Sequence, residues 1–135
     1  MTIDQASVIV DAASASWESW PPDQLARRGD VQWKTLISAG LTPSGALTAG
    51  VARLTAGGCL RAHHHEQAEI YVILKGSGTV TIDGTATDVA AGTTVFIPGS
   101  AIHSIEAAGG GGLRFAYVLA ADAFEDVTYV FDPPA

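Results

Sequence analysis

Three histidines stand side by side at positions 63 to 65, and Glu69 follows four residues after the last of them. Imidazole and carboxylate groups bind transition metals and move protons near neutral pH, so this cluster is the first place to look for chemistry. If residues 61 to 65 are extended, His63 and His65 share one face and His64 points to the other. Only two of the three histidines can then act together. In the run that follows, Glu69 and Tyr71 share a face with Ile73, and Ile70, Val72 and Leu74 line the opposite one. Two imidazoles and a carboxylate suit Fe, Mn, Co, Ni or Zn and are poorly matched to Cu(I) or to a pure Ca site. A fourth ligand would complete the set. The one remaining histidine is His103, shortly after Phe96-Ile97-Pro98-Gly99.

These side chains need a scaffold. A chain of 135 residues fits one domain that can bury a core without disulfides or structural metal, so a metal here would serve function rather than folding. With 47% hydrophobic and 16% charged residues the composition is globular. After Pro21-Pro22-Asp23, the segment Gln24 to Arg28 with Gly29 behind it predicts one short helical turn. Short β-type runs follow at Val31 to Ser38, Leu47 to Leu54, Ile70 to Leu74, Gly78 to Ile82, Ala86 to Val89, Thr94 to Ile97, Leu113 to Leu119 and Val127 to Phe131. Asp83-Gly84 supplies the residues of a type I′ hairpin turn, and Gly109 to Gly112 reads as a loop. Many short strands at this spacing predict an all-β barrel or sandwich, with residues 1–30 as an N-terminal arm and 31–135 as the barrel.

Formal net charge is -7 and the basic residues do not cluster, which argues against nucleic acid and against an anionic membrane surface as partners. No basic segment leads into an apolar stretch at the start, and no run of apolar residues is long enough to span a bilayer; the expectation is a soluble cytoplasmic protein. Cys59 is the single cysteine and reads as a small packed hydrophobe.

Gly57, His63, His65, Glu69 and Gly76, at their fixed separations, resemble the first sequence motif of the cupin family in every specified position. Gly92, Pro98 and His103 resemble the second. The second motif departs at Gly99, one position early for its turn glycine, and at Ala107, where the motif ends in Asn; neither departure removes a candidate ligand. The resemblance implies a double-stranded β-helix barrel of the jelly-roll type, with His63, His65, Glu69 and His103 holding one divalent transition metal inside the barrel mouth. It also implies a homodimer. His64, facing away, and Glu66, in the turn, are expected outside the site.

A fold shared by many reactions does not name one. A narrower resemblance runs from Val31-Gln32-Trp33-Lys34-Thr35-Leu36-Ile37 through Ala68-Glu69-Ile70-Tyr71 to Phe124-Glu125-Asp126-Val127-Thr128-Tyr129. These segments are similar to small cupin lyases that cleave dimethylsulfoniopropionate to acrylate and dimethyl sulfide. It implies a small carboxylate-bearing substrate held on the metal, Tyr71 as the base that takes the α-proton, and Tyr129 as a second active-site tyrosine. Tyr117, on a face with Leu113, Phe115 and Leu119, is expected in the core, and Trp33 on a barrel strand is a candidate for cation–π contact with a sulfonium. Trp17 and Trp20 are expected to pack the N-terminal arm. A cupin-type dioxygenase and a non-enzymatic binding module are the alternatives.

Overall fold

The computed structural model describes residues 5–131. Ten strands form in the order β1 Glu18–Ser19, β2 Gln32–Ile37, β3 Thr48–Leu54, β4 Cys59–His64, β5 Glu69–Ile82, β6 Thr85–Ala90, β7 Thr94–Ile97, β8 His103–Ala107, β9 Leu113–Leu119 and β10 Val130–Phe131. All the pairings between them are antiparallel. One sheet runs β1-β2-β3-β9-β5-β7 and the other β6-β5-β8-β4-β10, so β5 belongs to both.

The shared strand closes the fold. Its first half pairs with β9 and β7, and its second half pairs with β6 and β8. A register shift between Ile73 and Lys75 and a left-handed backbone at Gly76 (φ +85°) bend it from one sheet to the other. A Cβ at Gly76 would run into the Gly112 carbonyl, so the bend admits only glycine. The sequence suggests two runs broken at 75 to 77, whereas the structure makes them one bent strand. At its far end Asp83 (φ +47°) and Gly84 (φ +85°) form the expected hairpin turn into β6.

Inward positions of both sheets meet in one core. Ile73, Ile97, Ile105, Phe115 and Leu119 are essentially solvent-free. Each such side chain contributes about 1.5–3 kcal/mol of apolar transfer. β9 shows the cleanest alternation, with Leu113, Phe115, Tyr117 and Leu119 inward, as expected.

Before the barrel, Pro22–Gln24 forms a 3-10 turn that continues into α1, Leu25–Arg28, and Gly29 (φ +102°) ends it. Strand β1 pairs with β2, which stitches the segment before α1 onto the barrel edge. Two strands went unmarked in the sequence, β4 and β8. Their inward positions carry Leu60 and His63 in one and His103, Ile105 and Ala107 in the other, so each strand shows only one large apolar inward residue and no sustained apolar alternation announces it. The expected run Val127 to Phe131 is strand only at Val130–Phe131, and a 3-10 turn at Phe124–Asp126 precedes it. The ends of the expected arm and barrel, residues 1–4 and 132–135, lie outside the described residues. No helix among the described residues is long and apolar enough to cross a membrane.

Candidate metal centre

Three strands, β4, β5 and β8, bring the candidate ligands to one end of the barrel, with His65 just past the end of β4. His63, near the end of β4, pairs with His103 at the start of β8, and Ile82 pairs with His103 from the other side. Glu69 opens β5 and pairs with Leu119, the last residue of β9. The Gly109 to Gly112 loop joins the other ends of β8 and β9, away from this cluster.

The register shift between Leu60 and His63 turns His63 inward. His63, His65 and His103 are all buried, at 0%, 3% and 1% exposure, and Glu69 is 4% exposed. The candidate donor atoms of the three histidines lie within 4.8 Å of one another, so these buried side chains are able to hold a metal ion. His64 faces the other way and is half-buried, and Glu66 is exposed.

Hydrogen bonds fix what the rings can offer. His63 Nδ1 lies 2.7 Å from the Arg61 carbonyl, His65 Nδ1 2.9 Å from that of Gln67, and His103 Nδ1 2.9 Å from that of Ala101. A carbonyl only accepts, so each Nδ1 carries the proton, and each neutral ring presents a lone pair at Nε2. Glu69 Oε1 stands 3.2 Å from His65 Nε2 and 3.3 Å from His103 Nε2, while His63 Nε2 is buried without a hydrogen-bond partner among the described residues. Lone pairs from three rings and a carboxylate thus converge with no donor between them. Such an arrangement calls for a cation, and it fits a divalent transition metal.

The local electrostatics agree. Burial, then the neighbouring His103, lowers the pKa of His63 to about 3, which keeps the ring in its neutral, ligating form. Burial alone would raise Glu69; hydrogen bonds from His103 and His65, formed in the metal-free site when a proton rather than a metal sits at Nε2, outweigh it and leave the carboxyl below its ordinary value.

Tyr71 and Tyr129 both reach this site. Tyr71, 1% exposed, lies with its ring centroid 6.2 Å from that of His103 and 4.8 Å from that of Phe115. Tyr129 stacks on His63 at 5.2 Å and meets His65 edge-on at 5.3 Å. Both phenols are pushed well above their ordinary pKa, first by burial and next by the charge of Glu69. They line one partly open cavity with Glu69, Trp33, Phe124 and Trp20. Its volume is about 30 Å³, room for little more than water.

Trp20 departs from expectation. Rather than packing only the arm, it reaches the cavity, 4.8 Å from Trp33 and 5.6 Å from Tyr129 between ring centroids. Nothing in its neighbours Glu18-Ser19 and Pro21-Pro22 forms a periodic pattern that would have assigned it inward. Trp17 stays outside, against Lys34, Arg53 and Arg114. Cys59 is half-exposed rather than core, with its thiol pKa raised mainly by partial burial.

Comparison with known proteins decides the family, since the family described as Cupin domain matches residues 50–119. The chain belongs to the cupin family. The matched stretch contains His63, His65, Glu69 and His103, the four residues of the candidate metal centre. Among curated proteins, the dimethylsulfoniopropionate lyase DddW of Ruegeria pomeroyi is 42% identical over 107 residues, covering 79% of this cupin and 70% of that protein. A cupin 2 conserved barrel domain protein from Rhodopseudomonas palustris superposes with a TM-score of 0.73 at 24% identity, over 90% of this chain and 79% of that one. The polyketide cyclase RemF from Streptomyces resistomycificus gives 0.76 at 17% identity, over 96% and 88%. At such identities the structural likenesses speak for the fold alone.

Proposed function

We propose that this cupin is a metal-dependent carbon–sulfur lyase acting on dimethylsulfoniopropionate or a close analogue. The observation that carries the reading is the 42% identity to a dimethylsulfoniopropionate lyase over 79% of the chain. The cavity shared by Glu69, Tyr71 and Tyr129 supports it. His63, His65, Glu69 and His103 hold one divalent transition metal, Fe, Mn, Ni or Zn, and the donor set does not choose among them.

A bound divalent ion would polarise the substrate carboxylate, acidify the adjacent C–H and counter the burial and the Glu69 charge that together raise the two phenol pKa values. The remaining work falls to the chain. Tyr71, on the same strand face as Glu69, would first give up its phenol proton to solvent beside the cation, and its phenolate oxygen then accepts the α-proton. The electron pair of that C–H bond forms the carbon–carbon double bond of acrylate, and the β-carbon–sulfur bond breaks with its pair going to neutral dimethyl sulfide. The proton then passes from Tyr71 to solvent. Tyr129 closes the cavity from the side of His63 and His65 and keeps water from the reacting carbon.

Each of the Fe(II), Mn(II), Ni(II) and Zn(II) forms, incubated with dimethylsulfoniopropionate under strict exclusion of oxygen, tests this reading. Dimethyl sulfide and acrylate in equal amounts from at least one form are expected. Turnover only with oxygen present would replace the lyase with a cupin-type dioxygenase. Saturable binding without turnover would leave a binding module.

We further propose that the protein is a soluble cytoplasmic homodimer. Open sheet edges at β1 and β10 need cover, and a mass of one chain by light scattering would overturn the dimer.

A further inference from the structure

We infer that Trp20 and Trp33 form the subsite for the cationic end of the substrate, and that Trp20 in particular sets the preference for an onium group over a neutral alkyl group of the same shape. The identity of the cation as a sulfonium rests on the lyase reading. The preference for positive charge rests on the cavity itself.

Its walls argue for a cation. Apart from Glu69 they carry no charged side chain, and no Lys or Arg is present to receive a second anionic group. Aromatic rings predominate, with Trp20 and Trp33 tilted at 54° to one another and Tyr129 edge-on to Trp20 at 70°. Indole faces attract a cation that has no hydrogen to donate, because the ring quadrupole needs no hydrogen bond. The Arg28 guanidinium, which does not line the cavity, sits 4.7 Å from the Trp20 ring centroid and occupies one face of that ring.

Position also points to specificity. The four converging donors lie within residues 50–119, the stretch common to cupins, whereas Trp20, Trp33, Phe124 and Tyr129 all lie outside it. One end of the cavity is therefore family scaffold and the other belongs to this chain's flanks. Those flanks are lightly held. Trp20 follows the two-residue strand β1, and Tyr129 precedes the two-residue strand β10, so the aromatic wall can part to enlarge a cavity now near 30 Å³.

The test compares two carboxylates of the same shape by calorimetry on the metal-loaded protein: 3-(trimethylammonio)propanoate, and 4,4-dimethylpentanoate, in which carbon replaces the charged nitrogen. Their common carboxylate cancels in the ratio. Wild type is expected to bind the onium compound about tenfold more tightly, against the hydrophobic trend. Trp20→Leu should bring the ratio close to one, and Trp20→Phe should keep part of it. A wild-type ratio at or below one, an unchanged ratio in Trp20→Leu and Trp20→Phe, or no binding of either compound at millimolar concentration would overturn the proposal. Dimethyl sulfide release with a flat ratio removes this subsite alone. An onium preference without dimethyl sulfide release removes the lyase reading alone.

Discussion

Tyr129 lies face to face with His63, their ring centroids 5.2 Å apart and their planes 26° from parallel. A residue far along the chain is thereby laid over a histidine whose Nε2 has no hydrogen-bond partner among the described residues. The contact couples the closing of the C-terminal segment to the order of the metal site. Tyr129→Phe keeps the stack and should retain metal, whereas Tyr129→Ala should lose both cavity closure and turnover. Metal content and turnover measured on the two variants check this, and equal behaviour would refute it.

Metal binding should be stoichiometric and should stabilise the fold. One ion per chain is expected by elemental analysis, and saturation at a hundred times the dissociation constant should add about 2.7 kcal/mol to the unfolding free energy. His63→Ala and His103→Ala should each weaken binding by more than the roughly 10–100-fold loss that follows removal of an outer hydrogen-bond partner. Thermal melts with and without chelator provide the readout.

Acid should destabilise the metal-free protein. His63 has a folded pKa of about 3 against an ordinary 6.5, so the unfolded chain binds the extra proton first as pH falls. Its contribution is fully present above the unfolded value and is lost on going down toward pH 3. Glu69, with its folded pKa below the ordinary 4.5, acts in the same direction at lower pH. Between about pH 7 and pH 4, stability should fall by on the order of a few kcal/mol through His63. Denaturant melts across that range would show it, and stability that rises on acidification would contradict the burial argument.

Opening should begin at the flanks. Glu18–Ser19 and Val130–Phe131 are two-residue strands, whereas β5 and β9 pair over seven positions. Amide exchange should therefore be fastest at β1 and β10 and slowest along β5 and β9, and it should slow at both short strands when a substrate analogue binds. Uniform exchange rates would count against entry through the aromatic wall.

Much of this was legible in the residues. The spacing of His63, His65 and Glu69 carried the cluster, Asp83-Gly84 carried the hairpin, and the alternation from Leu113 to Leu119 carried β9. The two ligand-bearing strands were hidden for a physical reason: a histidine at an inward position removes the apolar beat that marks a half-buried strand. Trp20 was hidden for another. Its segment is too short for any period, and its place against Trp33 comes from the pairing of Glu18 with Trp33 across β1 and β2. Tyr129 lay between these cases, since its place was suggested by resemblance while the turn at Phe124–Asp126 that delivers it was not.

The central claim is that Tyr71 takes the α-proton of a metal-bound carboxylate, and one comparison tests it most directly: dimethyl sulfide release by wild type and Tyr71→Phe, measured without oxygen at equal metal content. The account predicts a loss of about 10²–10⁴ in turnover for the variant with metal retained. Turnover by Tyr71→Phe at the wild-type rate would contradict it.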